Sequence, residues 1–306
     1  MDIMKVAKEL SPNNGGLMKK YIDLHMHSTY SDGRYEPKKL IEEAKRNGVG
    51  TISITDHDTI DAYYDPFTKN DEDMTIVKGI EVSSLYTARN GKSNRIHILG
   101  YNLDHSNKKL LEVLDNMKDM RTDVNKKYLA SVIDRYRFLP ESITETVDCE
   151  KYYRIGWAIL EVLKISGISE EEYKQVKKYI WSNFPNYPGY DVHYKKVIET
   201  IHDAGGIPVI AHPYSYRLND LDVKRMIRDL MDAGIEGIEV YHSECPRDKM
   251  IRLKMLANNY KLLYSCGSDF HFPTEIDNKI IGHGIDENLC HTECSVLDKV
   301  LKLERK

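Results

Sequence analysis

Seven short apolar, β-branched runs recur along the chain, and each meets a histidine, aspartate or glutamate at one end. The runs fall at 21–24, 51–55, 75–79, 96–101, 207–211, 236–240 and 262–266. Near-continuous apolar segments of this length suit strands buried on both faces, as in a parallel sheet. Helical patterns lie between several of them, at 37–47, 194–204 and 223–233, with Gly48, Gly205 and Gly234 as stops. Gly just past a helix end is an expected stop signal. Alternation of this kind predicts an α/β fold of βα units, and seven strands predict closure into a barrel.

The rhythm breaks over 103–190, which reads as helices at 107–120, 121–137, 156–166 and 169–181. That stretch holds Trp157, Trp181 and eight of the 21 tyrosines, with fourteen basic and fourteen acidic residues. It is expected to be a helical insertion folded over the barrel mouth as a neutral lid, its aromatic residues more often core than stacking platform. The barrel would then comprise 21–102 and 191–306, with 1–20 an N-terminal extension ending in the turn-forming run 11–16.

Charge narrows the partners. A net charge of −4 over 306 residues argues against a general binder of nucleic acid or anionic membranes. A neutral insertion is likewise a poor platform for long duplex nucleic acid, which is held through phosphate neutralisation. No apolar run approaches the roughly 20 residues that span a bilayer, and the first twenty lack a secretory apolar core, so a cytoplasmic location is expected. Five scattered cysteines form no disulfide framework. Cys290 and Cys294 flank His291, but a zinc site would need a second ligand pair nearby.

The chemistry collects at the strand ends. His25 and His27 follow the first strand, and His57 follows the second in Thr55-Asp56-His57-Asp58. Glu81 follows the third, His97 starts the fourth, and His212 and His242 end the fifth and sixth. Asp269 and His271 follow the seventh. In a βα barrel the carboxyl ends of the strands converge on one face, so residues distant in sequence meet there. The His-x-His spacing works because alternate side chains of an extended segment point the same way. One such histidine is more often a satisfied structural residue; seven strand ends with metal-ligand types are not readily chance. His105, His193, His202, His283 and His291 lack this context and read as surface or core residues.

Taken together, Asp23-Leu24-His25-Met26-His27, Ser31-Asp32-Gly33, Thr55-Asp56-His57-Asp58, Gly79-Ile80-Glu81-Val82-Ser83 and His97-Ile98-Leu99-Gly100-Tyr101 resemble motifs of the PHP (polymerase and histidinol phosphatase) family. Ala211-His212-Pro213, Ile238-Glu239-Val240-Tyr241-His242 and Gly267-Ser268-Asp269-Phe270-His271 complete the set in family order. The resemblance implies a distorted seven-stranded β/α barrel and a metal-dependent phosphoesterase. The branch with a helical insertion includes enzymes that act on nucleoside 3′,5′-bisphosphates and on short RNA from its 5′ end. It further implies two or three divalent ions, Mn, Fe or Zn. One is expected on His25, His27, Asp269 and a bridging Glu81, a second on Glu81, His97 and His212, and a third on Asp32, His57 and His271. Nitrogen and carboxylate donors without thiolate suit any of the three metals. Three such ions exceed the charge of Asp32, Glu81 and Asp269 and would leave a surplus for a phosphate ester.

Three further residues carry two readings each. Asp23 either orients a ligand imidazole or caps its strand end. His242 stands where the family contacts phosphate or protonates a leaving group, against a structural role. Arg154 falls where related insertions reach the substrate, although a histidine common in that branch is missing, and a solvated arginine is the alternative. Competing functions are a histidinol-phosphate-type phosphatase, an amidohydrolase, which would need Lys78 as a carbamylated bridge, and a non-catalytic metal-binding module.

Overall fold

The computed structural model describes residues 20–69, 73–88, 91–140, 142–151, 153–183, 192–272 and 279–303. The expected N-terminal extension, apart from Lys20, and the turn-rich segment 184–190 lie outside these residues. The chain divides into two compact units, 1–111 with 192–306, and 112–191.

The first unit holds the strands. β1 (Tyr21–Met26), β2 (Val49–Ile54) and β3 (Thr75–Ile76) form a parallel sheet in that order. The second sheet contains β4 (Gly79–Thr87), β5 (Ser93–Tyr101), β6 (Val192–His193), β7 (Ile207–Ile210), β8 (Gly237–His242) and β9 (Leu263–Gly267). Its order is β6-β4-β5-β7-β8-β9. β5 pairs antiparallel with both β4 and β7, whereas β7, β8 and β9 are parallel. An entirely parallel sheet is therefore corrected to a mixed one. Because β5 runs against β4, His97 at the middle of β5 comes opposite Ser83, two residues on from Glu81 near the start of β4.

No single ladder closes the ring among the described residues. Instead, isolated bridges join the sheets at both seams, Met26 to Phe270 and His57 to Glu81. At the first seam the His27 N–H donates to Phe270 O (2.8 Å) and the Asp269 N–H to His25 O (2.8 Å). At the second, the Asp58 N–H donates to Glu81 O (2.9 Å). The third expected run, 75–79, is also revised. It splits into the two-residue β3 and the start of β4, so Glu81 lies within a strand and not beyond one. The alternation of Ile80, Val82 and Ser84 against Glu81 and Ser83 carries that strand on.

Helices cover the strands through apolar stripes. α1 (Pro37–Arg46) buries Leu40, Ile41 and Ala44 in one cluster with Val49, Ile52 and Ile54. Each such leucine, isoleucine or valine contributes about 1.5–3 kcal/mol on burial.

The second unit has its own core. α2 (Lys108–Arg135) is one helix where two were expected, because 108–135 contains neither Gly nor Pro to break it. α3 (Ile143–Thr146), α4 (Ile155–Ile165) and α5 (Glu170–Ser182) follow. Val132, Ile143, Ile155, Ile159, Leu163, Val176 and Ile180 pack together, and α5 opens on a Ser169–Glu172 capping box. The two tryptophans meet edge to face at 5.2 Å.

Four helices follow the insertion among the described residues of the first unit. α6 (Tyr194–Asp203) buries Val197, Ile198 and Ile201, and α7 (Asp220–Asp232) buries Val223, Met226, Ile227 and Leu230 at helical spacing. α8 (Arg247–Tyr260) links β8 to β9, and α9 (Ser295–Leu303) is the last described helix.

Candidate metal centre

At the middle of the first unit stands a fully buried carboxylate, Glu81, surrounded by five imidazoles. Its Oε1 lies 3.0 Å from His97 Nδ1 and 2.9 Å from His212 Nε2. Its Oε2 lies 3.2 Å from His25 Nε2, 3.2 Å from His27 Nε2 and 3.1 Å from His57 Nδ1. Two carboxylates flank it. Asp269 Oδ1 is 3.1 Å from His27 Nε2 and 3.4 Å from His25 Nε2. Asp32 Oδ1 is 3.2 Å from His271 Nε2, and Asp32 Oδ2 is 3.7 Å from His57 Nε2.

All nine expected ligand residues therefore meet in one region. Three groups of donors lie within 4.8 Å of one another: His25, His27, Glu81 and Asp269; His27, Asp32, His57 and His271; and His57, Glu81 and His97. The first agrees with the expected set, and the second adds His27 to it. In the third, His57 takes the place expected of His212, whose Nε2 instead faces Glu81 Oε1. Imidazoles have two nitrogens, and His57 turns one toward Glu81 and the other toward Asp32.

The donors fit a divalent cation. His25 Nε2, Glu81 Oε2 and His271 Nε2 are buried and make no hydrogen bond. Buried polar atoms are nearly always paired, and these are too poorly aligned to bond each other at 3.2 Å. Electrostatics agrees. Burial alone would raise the Glu81 pKa, but His25, His57 and His97 hold it well below the carboxylate range. Asp269 is likewise held low against burial by His25 and His271. Burial lowers the His57 pKa far below the usual imidazole value. His27 is held up to about 10, its burial outweighed by Asp269, Glu81 and Asp32. The His25 and His212 pKa values are also raised, against their burial, by Glu239, Glu81 and Asp269, so without metal the ionised carboxylates hold protons on these rings, and a bound cation would displace them.

The surrounding backbone is tightly specified. His212 and Asp269 have positive φ, 27° and 53°, a cost tolerated chiefly where function demands a side-chain direction. A Cβ at Gly267 would lie 2.2 Å from His25 Cβ, so only glycine lets β9 approach β1 this closely. Asp56 accepts from the Ser28 N–H (2.7 Å) and the Ser31 hydroxyl (2.5 Å), shaping the loop that carries Asp32.

Asp23 does not face an imidazole. Its carboxylate accepts the N–H groups of Ser268 (2.9 Å), Gly282 (2.7 Å) and His25 (3.3 Å), which is the capping reading. The residue that reaches the His25 ring is Glu239. Its Oε1 is 2.8 Å from His25 Nδ1, and its Oε2 accepts the His212 N–H at 2.7 Å. Strict alternation from His242 would put Glu239 on the opposite face. A bulge between Glu239 and Tyr241 shifts the phase and brings both inward. His242 Nδ1 accepts the Glu244 N–H (3.2 Å), leaving its Nε2 toward Asp269 Oδ2 at 3.4 Å. His212, His242, Tyr214, Ser215 and Glu244 line a cavity of about 220 Å³.

Arg154 lies in the second unit, immediately before α4. Lys78 is exposed. The remaining histidines hold structural positions: His283 bonds Asn47 O, His202 bonds Gly234 O, His193 precedes α6, His291 stacks on Tyr241, and His105 sits against Tyr63.

Fold and centre together define an α/β protein organised about a histidine-rich candidate metal site. The PHP domain family matches residues 23–204, more than half of the chain, and the chain belongs to that family. A 5′-3′ exoribonuclease of Haemophilus influenzae is 28% identical over 84% of this chain and 92% of its own. A 3′,5′-nucleoside bisphosphate phosphatase of Chromobacterium violaceum is 28% identical over 87% and 92%. The structure of an amidohydrolase from Chromobacterium violaceum with bound sulfate has a TM-score of 0.72 at 25% identity, covering 92% of this chain and 96% of that one. His212, His242, Asp269 and His271 lie beyond the family match and are brought to the centre by the fold.

Proposed function

We propose that this chain, a metal-dependent phosphoesterase, hydrolyses a small nucleotide-like phosphate ester: a nucleoside phosphate, a nucleoside 3′,5′-bisphosphate or the 5′ end of short RNA. The carrying observation is Glu81 with its five imidazoles, a donor set for more than one cation around a single carboxylate. The relatives named above, a 5′-3′ exoribonuclease and a 3′,5′-nucleoside bisphosphate phosphatase, support the last two of these ester types. In this reading the seven longer strands, with both seams bridged, work as one distorted barrel.

His25, His27, Glu81 and Asp269 would hold one ion, His57, Glu81, His97 and His212 a second, and Asp32, His57 and His271 with His27 a third. When bound, Mn²⁺, Fe²⁺ or Zn²⁺ activates water and neutralises the phosphoryl oxygens. The protein positions the rest. Glu81 keeps the donor groups in register, and the buried walls exclude bulk solvent. His242, its Nδ1 occupied as an acceptor, presents an Nε2–H for the leaving oxygen or a phosphoryl oxygen. Discrimination between esters falls to side chains that contact the remainder of the substrate, with Arg154 proposed among them. Among the described residues no helix is long and apolar enough to cross a membrane.

One structural neighbour is named an amidohydrolase, but Lys78, the candidate for a carbamylated bridge, is exposed, whereas the carboxylate of Glu81 stands among the imidazoles, which supports the phosphoesterase reading over amidohydrolase chemistry. The test is a phosphate-release screen with Mn²⁺ across mononucleotides, bisphosphates, short RNA and histidinol phosphate. Nucleotide-like esters should be turned over best, and chelation should abolish turnover. Activity that survives in metal-free protein, or a preference for histidinol phosphate, would overturn this assignment.

A further inference from the structure

We infer that Glu239 is a positioning residue of the metal centre: it fixes the tautomer of His25 and the backbone of His212 at once. The inference rests on the metal-centre reading above.

The argument begins with what an ionised carboxylate can do. It accepts hydrogen bonds and donates none. Glu239 Oε1 lies 2.8 Å from His25 Nδ1, with both side chains fully buried. The proton of a neutral His25 must therefore sit on Nδ1, which leaves a lone pair on Nε2. That nitrogen points at the centre, 3.2 Å from Glu81 Oε2 and 3.4 Å from Asp269 Oδ1, and makes no hydrogen bond of its own. An imidazole held this way has one nitrogen committed to the protein and the other offered to a cation. A carboxylate behind the ring also raises its basicity as a ligand.

The second oxygen extends the effect. Oε2 accepts the His212 N–H at 2.7 Å, and His212 is one of the positive-φ residues, with φ 27°. One buried side chain on β8 thus holds donors from β1 and from the turn after β7. Glu81 also reaches both residues, but at the Nε2 atoms that face the centre, whereas Glu239 holds the opposite nitrogen of His25 and the backbone of His212. The amide of glutamine has one oxygen where glutamate has two. Glu239→Gln must leave one of the two N–H groups without an acceptor, although size and shape are nearly unchanged. Asp23 supplies the contrast, since it is also a buried carboxylate beside His25 but accepts the backbone N–H groups of His25, Ser268 and Gly282 and no imidazole among the described residues.

The experiment uses the full chain, stripped of metal and titrated with Zn²⁺ and Mn²⁺ against a chromophoric chelator. A second readout is long-range ¹H–¹⁵N NMR of the histidine side chains in the wild-type protein and in Asp23→Asn. Wild-type protein should take up metal, with the His25 ring protonated at Nδ1. Glu239→Gln should weaken the tightest site about 10- to 100-fold, while far-UV circular dichroism stays unchanged. Asp23→Asn should lower the melting temperature but leave the His25 tautomer in place. Wild type that binds no metal would refute the metal-centre reading itself. Wild type that binds metal while His25 carries its proton on Nε2 would overturn the role of Glu239, even if no variant folds. A folded Glu239→Gln with wild-type affinity would overturn it too.

Discussion

Glu81 Oε2 stands 3.2 Å from His25 Nε2 without a hydrogen bond between them. Two buried polar atoms so close yet unbonded are arranged for a third partner between them.

Replacing Glu81 by Gln or Ala should therefore cost activity by about three orders of magnitude or more, since several kcal/mol of charge stabilisation would be lost. Metal content measured on the same preparations should fall, with the fold retained by circular dichroism. Near-normal kcat in either variant would remove Glu81 from the centre.

Gly267→Ala should act on the same histidine from the other side. The added methyl would meet His25 Cβ at 2.2 Å and its backbone nitrogen at 2.7 Å. Overpacking of this kind costs about 1–3 kcal/mol. Chemical denaturation should show that loss, and metal affinity should weaken as His25 is displaced. Unchanged stability would mean that β1 and β9 separate more easily than their contact suggests.

Acid sensitivity should come partly from histidines outside the centre. Burial lowers the pKa of His105 and of His291 to about 4, with Lys78 and Lys254 adding to it, against an ordinary 6.5. Between those values the unfolded chain takes up protons that the folded chain refuses. Stability should consequently fall as pH drops from about 6.5 to about 4 and gain no further loss from these groups below that. Urea midpoints at pH 7 and pH 5 would reveal the slope, and His291→Phe and His105→Leu should each flatten it. An unaltered slope in both variants would show that neither histidine is kept neutral.

For Arg154 the expected outcome is selective. Arg154→Ala should lose about 10- to 100-fold in kcat/KM on a mononucleotide and a 3′,5′-bisphosphate, the worth of one charged hydrogen bond. A generic aryl phosphate should be largely spared. Equal losses on all three substrates, or none, would remove Arg154 from substrate recognition.

The strand-end rhythm made most of the donors legible, because His, Asp and Glu interrupt apolar runs that are otherwise uniform. His105, His193, His202, His283 and His291 were legible as structural for the converse reason. What stayed hidden depends on strand direction and phase. Nothing in 96–101 announces that β5 runs against its neighbours, and Lys78 masks the break between β3 and β4. Asp23 shares the parity of His25, which admits a ring-orienting role beside the capping one. The task falls to Glu239, three residues before His242, a spacing that a regular strand places on opposite faces. A bulge leaves no mark in composition, so parity misleads at that point.

The bulge in β8 has a practical consequence for anyone transplanting this centre. Side-chain exchange on a regular parallel strand can install Glu239 or His242 on the inner face, but not both. A designer who copies only the residue types would obtain a ring of histidines with one ring free to turn. The extra residue in the strand has to be copied as backbone, before any ligand is chosen.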